Sequence, residues 1–335
     1  MDFDLTEAQR DLAALTGAIA ASAGDSLWTD LARAGVLAAG LPERAGGDGY
    51  GVLERCAVLV ELGRAAAPVP YLPSIATAAA ALARFGTDAQ VARWAAPAGR
   101  GEVVLTAADG AFDAAGGRLS GTATAVPALP AAAAVLVPTG AGVFVVTPTD
   151  EGVTVAAQDV AGGPGAGQLT LDAVPVDDDR LLGGAEGGAE VSEWLRAHAT
   201  VGACAAQLGV CERALELTAE YARTRVQFGR AIGSFQAVAQ RLADAYIDVA
   251  AIRLTLWHAA WRLSEGLPCA REVSTAKFWA ADAGHRVAHT AVHVHGGVGI
   301  DLSAPVHRYF LAAKYHEFTS GGATAHLRAL GTRLS

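Results

Sequence analysis

Between residues 238 and 263, apolar side chains fall at Val238, Leu242, Ala245, Val249, Ile252, Leu256, Ala259 and Leu263, each three or four positions after the last. That period draws one continuous apolar stripe along a helix. At 1.5 Å per residue the helix is about 40 Å long, and it cannot bury its stripe alone. Helices of similar length must lie beside it, and the sequence supplies them. One is expected from about Glu190 to Thr224, one over STAKFWAADAGHRVAHTAVHVHG, and a last from about Pro305 to Leu334, interrupted at Gly321-Gly322. Four long helices in this order predict an antiparallel bundle over residues 189–335.

The segment from 101 to 188 has another character. VVLTAAD, RLSGTATAV, AVLVPT, GVFVVTP, GVTVAAQ and QLTLDAVPV are short Val- and Thr-rich runs separated by Gly, Pro and Asp. They predict a small β-domain. Residues 1–100 return to helical spacing. Thr6 and Gln9 fit a capping box, Thr29 can cap a short helix that Gly35 ends, and VLERCAVLVELGRAAAP is a strongly apolar helix. The expected fold is therefore mainly α with a small β-domain: an N-terminal helical domain (1–100), a middle β-domain (101–188) and a C-terminal four-helix bundle (189–335).

Composition narrows the class. Apolar residues reach 52% while aromatics are only 6%, and alanine fills much of the difference, which favours closely packed helices. The net charge of -9 argues against a nucleic-acid binder. Cys56, Cys204, Cys211 and Cys269 form no CxxC pair, as expected of free thiols in a reducing compartment. The start MDFDLTEAQRDL lacks the basic region of a signal peptide, and no apolar run reaches membrane-spanning length. A cytoplasmic protein without membrane insertion is expected.

The segment YARTRVQFGRAIGSFQ concentrates Arg223, Arg225 and Arg230 around a Phe228-Gly229 turn. Arginines here can hold an anion by paired, charge-assisted hydrogen bonds, and glycine lets backbone amides approach it. Cations in the last turn of a helix are also favoured by its dipole, and that plainer account is kept for Arg223 and Arg230. His285, His289 and His293 follow i, i+4, i+8 spacing. No carboxylate or cysteine of ligand spacing joins them, so a polar helix face is preferred to a metal site. Leu242, Tyr246, Val249 and Leu256 are core candidates. Asp177 to Asp179 read as a solvated loop.

Taken in order, LARAGVLAAGLPERAGGDGYG, VELGRAAAP, RVQFGRAIGSFQAVAQRLADAY and HVHGGVGIDLSAPVHRYFLAAK resemble the acyl-CoA dehydrogenase family over essentially the whole chain. The resemblance implies the family's fold, with the middle domain a β-barrel. It also implies that the Arg-x-x-Phe-Gly segment of one subunit reaches the FAD pyrophosphate in its neighbour. Carried over residue by residue, it assigns Arg225, Gln227, Phe228 and Gln236 to that cofactor, and His293, Gly296 and Gly297 to its adenine end. The family more often has Gln where His293 stands.

The chain departs from the family where the chemistry lies. These enzymes remove an α-proton from an acyl-CoA thioester with a glutamate, and flavin takes the β-hydride. Ser320, followed by Gly321-Gly322, occupies one family position for the base. Ala199, followed by Thr200, occupies the other. The loop that wraps the flavin is reduced to LTAADGA, keeping Thr106, and a later flavin-side element reads AVPA at residues 125–128. The pattern is similar to one subunit of actinobacterial α2β2 acyl-CoA dehydrogenases of steroid side-chain breakdown. That resemblance implies a catalytic partner subunit holding the acyl-CoA, with FAD shared at the interface. Two alternatives stand beside it. One is a homomeric enzyme using Glu317, three residues before Ser320, as a relocated base, although a solvent-facing Glu317 is the preferred expectation. The other is a scaffold subunit that binds no nucleotide.

Overall fold

The structure is a computed structural model, and it describes residues 5–184 and 187–332. The chain opens with α1 (Glu7–Ser22), headed by the Thr6/Gln9 capping box: the Thr6 N–H donates to Gln9 Oε1 at 3.0 Å, and the Gln9 N–H to Thr6 Oγ1 at 3.2 Å. Next come α2 (Leu27–Arg33), α3 (Val36–Ala39) and α4 (Val52–Arg64). Thr29 is not the cap expected of it. Helix α2 starts two residues earlier, and the Thr29 hydroxyl donates to the Ser26 carbonyl at 2.7 Å from within the first turn. Residues Tyr71–Ala79 form a widened π-type helix containing Pro73, whose missing N–H suits an irregular ladder, and run into α5 (Ala80–Phe85). Helix α6 (Asp88–Gln90), a second π-type turn (Val91–Ala95) and α7 (Ala96–Gly99) complete this part.

Eight strands follow: β1 (Val104–Ala107), β2 (Ala111–Ala115), β3 (Arg118–Pro127), β4 (Ala132–Thr139), β5 (Gly142–Val146), β6 (Val153–Gln158), β7 (Ala166–Pro175) and β8 (Leu181–Leu182). They form two four-stranded sheets, ordered β1-β4-β5-β8 and β2-β3-β7-β6. The β1–β4 pair is parallel and the others antiparallel. One core lies between the sheets, with Leu119, Val126 and Leu169 from one and Val135, Val137 and Val146 from the other, none more than 2% exposed. Register shifts at Leu119/Gly121 and Ala123/Val126 interrupt the pairing of the long strand β3 with β7.

The rest is helical: α8 (Gly188–Thr224), the short hairpin strands β9 (Val226–Gln227) and β10 (Arg230–Ala231), then α9 (Gln236–Ser264), α10 (Ala270–His295), α11 (Val306–Phe318) and α12 (Ala323–Thr332). The break between α11 and α12 falls at the expected Gly321-Gly322. The expected end of the last helix at Leu334 lies outside the described residues.

By contacts the chain forms two compact units. One takes the described residues of segments 22–55 and 68–199, and the other those of 1–21, 56–67 and 200–335. In the second unit α10 packs against α9, α11 and α12. Alanine and glycine set its close spacing. Ala214 of α8, Ala291 of α10 and Val306 of α11 form one buried cluster. Gly63 and Gly209 let α4 and α8 approach backbone to backbone: a Cβ on Gly63 would strike the Ala206 carbonyl, and one on Gly209 the Val60 carbonyl. Arg64 then ties α4 to α8 through Glu212 at 3.0 Å and Glu216 at 2.9 Å. The Tyr309 hydroxyl of α11 donates to the Arg64 carbonyl at 2.7 Å.

The α9 stripe is buried at Ala245, Val249, Ile252, Leu256 and Ala259. Tyr246 is not core, contrary to expectation, because it lies one position off the stripe and is 70% exposed. None of the four cysteines is in a disulfide, and three of them are buried. No helix among the described residues is long and apolar enough to cross a membrane.

Candidate functional site

Helix α8 ends at Thr224, and the chain turns at once into the β9/β10 hairpin, where Val226 pairs with Ala231 and Gln227 with Arg230. Phe228 and Gly229 form the two-residue turn with φ of 52° and 79°. Both central residues are left-handed, as a type I′ hairpin requires. The Ile232 N–H donates to the Arg225 carbonyl at 2.8 Å and closes the base of the loop. Arg225, Gln227, Phe228 and Gln236 are all exposed, Phe228 at 93%. Among the described residues no side chain takes the Arg225 guanidinium, whereas the Gln227 amide donates to the neighbouring Val226 carbonyl at 2.8 Å. Arg230 is engaged, its guanidinium lying 4.1 Å from the centre of the Phe235 ring.

His293, Gly296 and Gly297 stand at the C-terminal end of α10 and are exposed. Gly296 needs its left-handed φ of 62°, but a Cβ on Gly296 or Gly297 would meet nothing within 4 Å. Gly299 is different, since a Cβ there would crowd the Val292 backbone at 2.8 Å. The ends of α8 and α10 are joined by Tyr221 stacked on His295, with ring centres 4.4 Å apart. His295 is itself fixed by Nδ1 against the Ala291 carbonyl at 2.8 Å. The structure thus brings the two expected cofactor segments to the same end of the bundle. Tyr221 and His295, which perform the joining, were not among the residues singled out in the sequence. Their spacing gives no sign of a contact between helices 74 positions apart.

The Ser320 position lies elsewhere. Ser320 and Gly321 form the α11–α12 break, with φ of 58° and 91°, and the Ser320 carbonyl meets His326 Nε2 at 2.8 Å. Fully buried Lys277 of α10 donates from Nζ to the carbonyls of His316 and Glu317, both at 3.0 Å, and so satisfies the end of α11. Burial holds the Lys277 ammonium below the usual lysine range. Lys277 and His295 are 18 residues apart on one helix, so the contact that holds the end of α11 and the one that joins α8 to α10 lie about 27 Å apart along α10.

Glu317 does not face solvent as expected. Its side chain is 13% exposed, and its carboxylate is bound by Lys314 Nζ at 2.5 Å and His285 Nδ1 at 3.2 Å. The α11 helix turns position 317 inward toward α10 and not outward. His285 stacks loosely with His289, ring centres 4.3 Å apart, while His293 is exposed further along. No group of three His, Cys, Asp or Glu among the described residues is placed to hold a metal.

In the other unit Ala199 is half-buried on α8. Its neighbour His198 is 7% exposed, stacked on Trp194 at 3.6 Å, with Nδ1 2.9 Å from the Trp194 carbonyl. Burial first, then Arg55, pushes the His198 imidazole down to about 3, so it is neutral and no proton acceptor near neutrality. An unfolded imidazole titrates near 6.5. Between about 6.5 and 3 the unfolded chain binds a proton that the folded chain refuses, so stability present above pH 6.5 is lost as the pH falls. The slope is about 1.4 kcal/mol per pH unit, or about 2 kcal/mol by pH 5. Unfolding free energies from urea titrations at pH 7.5 and 5 should differ by that much more in the parent than in His198→Gln. Thr106 is fully buried, and its hydroxyl donates to the Pro127 carbonyl at 2.7 Å.

Comparison with known proteins gives this arrangement its family. The acyl-CoA dehydrogenase N-terminal domain profile matches residues 8–102 and the C-terminal domain profile residues 186–335. The acyl-CoA dehydrogenase FadE27 of Mycobacterium tuberculosis is 48% identical, over 100% of this chain and 99% of its own length. A chain of the ChsE4–ChsE5 complex from Mycobacterium tuberculosis superposes with a TM-score of 0.95 at 49% identity, covering 100% of this chain and 99% of that one. A chain of a Tcur3481–Tcur3483 steroid ACAD variant superposes with a TM-score of 0.88 at 37% identity, covering 97% of each. With helices before and after a small pair of sheets and both family domains in order, the chain belongs to the acyl-CoA dehydrogenase family.

Proposed function

We propose that this chain is the base-lacking subunit of a heteromeric, FAD-dependent acyl-CoA dehydrogenase, completing the FAD site of a catalytic partner in an α2β2 assembly. The observation that carries the reading is the Ser320 break. It offers a hydroxyl where the family needs a carboxylate, and the acid three residues before it, Glu317, is engaged by Lys314 and His285. The exposed hairpin supports it from the other side. A guanidinium without a side-chain partner among the described residues and two glycines facing open space suit an anion supplied by a neighbouring subunit. The residues therefore fit a dinucleotide diphosphate: Arg225 and Gln227 would hold it, Phe228 and Gln236 would flank it, and His293, Gly296 and Gly297 would line its adenine end. Bound FAD supplies the hydride acceptor for α,β-desaturation. This chain's part is to hold and orient, and the partner contributes the base and the thioester pocket. The steroid ACAD among the structural neighbours supports a steroid side-chain thioester as the substrate class. Domain boundaries near residues 100 and 188 and a cytoplasmic setting belong to the same reading.

Purified without its partner, the chain is expected to be colourless and to give no turnover with acyl-CoA thioesters. A yellow, active homo-oligomer would overturn the proposal. In the assembled complex Glu317→Gln should leave kcat within about twofold, because removing a positioned base costs about 10²–10⁴-fold. A loss of that size would make Glu317 the base.

A further inference from the structure

We propose that Arg230 and Phe235 are positioning residues that hold the hairpin in the shape presenting Arg225 and Gln227 to the diphosphate, an inference that rests on the reading above. The hairpin has little else to hold it. Its ladder is two residues per strand, and its other hydrogen bonds are local: the Ile232 N–H to the Arg225 carbonyl, the Gln227 amide to the Val226 carbonyl and the Ser234 hydroxyl to the Ala231 carbonyl. At its tip Phe228 adopts a φ of 52°. A bulky residue in the left-handed region is an outlier that persists only where its surroundings enforce it. Burial does not enforce it, since Phe228 is 93% exposed.

What touches the tip is Phe235. The short turn Ile232–Ser234 brings Phe235 back so that its ring meets Phe228 edge to face, with centres 6.1 Å apart and planes at 89°. Arg230 covers the Phe235 ring at 4.1 Å. The three side chains form one stack: guanidinium on ring, ring against ring. The stack also distinguishes the arginines. Arg230 is committed to an aromatic face inside the chain, while Arg225, at the base of the hairpin, is exposed. Moving Phe235 away would release Phe228 toward ordinary φ and turn the β9 strand that follows Arg225.

The test uses the complex with its catalytic partner, stripped of flavin and titrated with FAD while flavin fluorescence is followed. Arg230→Met and Phe235→Leu should each weaken FAD binding by about two- to fivefold, the range of an exposed cation–π contact converted to affinity. The double variant should bind no more weakly than the weaker single one, because both changes break the same stack. Phe235→Trp, which keeps an aromatic face, should stay within about twofold of the parent. Thermal midpoints of all four should match the parent. If the two single effects multiply in the double variant, or tryptophan fails to preserve affinity, the shared stack is not what positions the hairpin. If Arg230→Met and Phe235→Leu bind FAD normally while Arg225→Ala does not, this inference falls and the anion role of Arg225 stands. Normal binding by Arg225→Ala as well would remove the reading beneath it.

Discussion

Arg225→Ala is expected to lower the FAD affinity of the assembled complex by about ten- to a hundredfold, the worth of charge-assisted hydrogen bonds from one guanidinium to phosphate. Flavin absorbance of the co-purified complex should fall with it. The side chain is exposed and no side chain among the described residues takes its guanidinium, so the thermal midpoint should not move. Arg225→Lys should recover part of the affinity, since lysine keeps the charge but loses the planar fork. A complex that keeps its full flavin content with alanine at this position would mark the chain as a scaffold that touches no nucleotide.

The second large effect concerns the fold. Gly209→Ala should destabilise the helical unit by about 3 kcal/mol, or prevent it from folding, because the added Cβ meets the Val60 carbonyl well inside contact distance. The neighbour is helix backbone and cannot rotate away, so α4 and α8 would have to separate and loosen the Arg64 ion pairs to Glu212 and Glu216. A urea midpoint followed by circular dichroism reads this directly. A midpoint equal to the parent's would show that the two helices do not run backbone to backbone at Gly63 and Gly209.

Much of the architecture was legible in the sequence because its signals are local and periodic. The three- and four-residue spacing from Val238 onward marks the long helix α9, the Thr6/Gln9 pair marks the start of α1, and the run of short Val- and Thr-rich segments marks the sheets. Tyr246 misled because one position off a helical stripe is enough to turn a large apolar side chain outward. Glu317 misled for the opposite reason. Nothing in its own neighbourhood announces that His285, 32 residues earlier, comes to its carboxylate. Of the candidate site, the residue types were readable from resemblance, but the grouping was not. The Tyr221–His295 stack and the hold of Lys277 on the end of α11 are contacts between distant segments, and they alone show that the hairpin and the Ser320 break occupy opposite ends of α10.

The left-handed backbone at Ser320 has a consequence for how this lineage can change. A glutamate returned to that position would have to occupy φ of 58°, where side chains beyond glycine and asparagine are disfavoured by about 1–2 kcal/mol, with the following Gly321 also turned away from helix. One codon change would restore the carboxyl group without restoring its aim. On the proposed division of labour between subunits, a working acid at this position would therefore call for a change in the backbone of residues 320 and 321 as well as in the side chain.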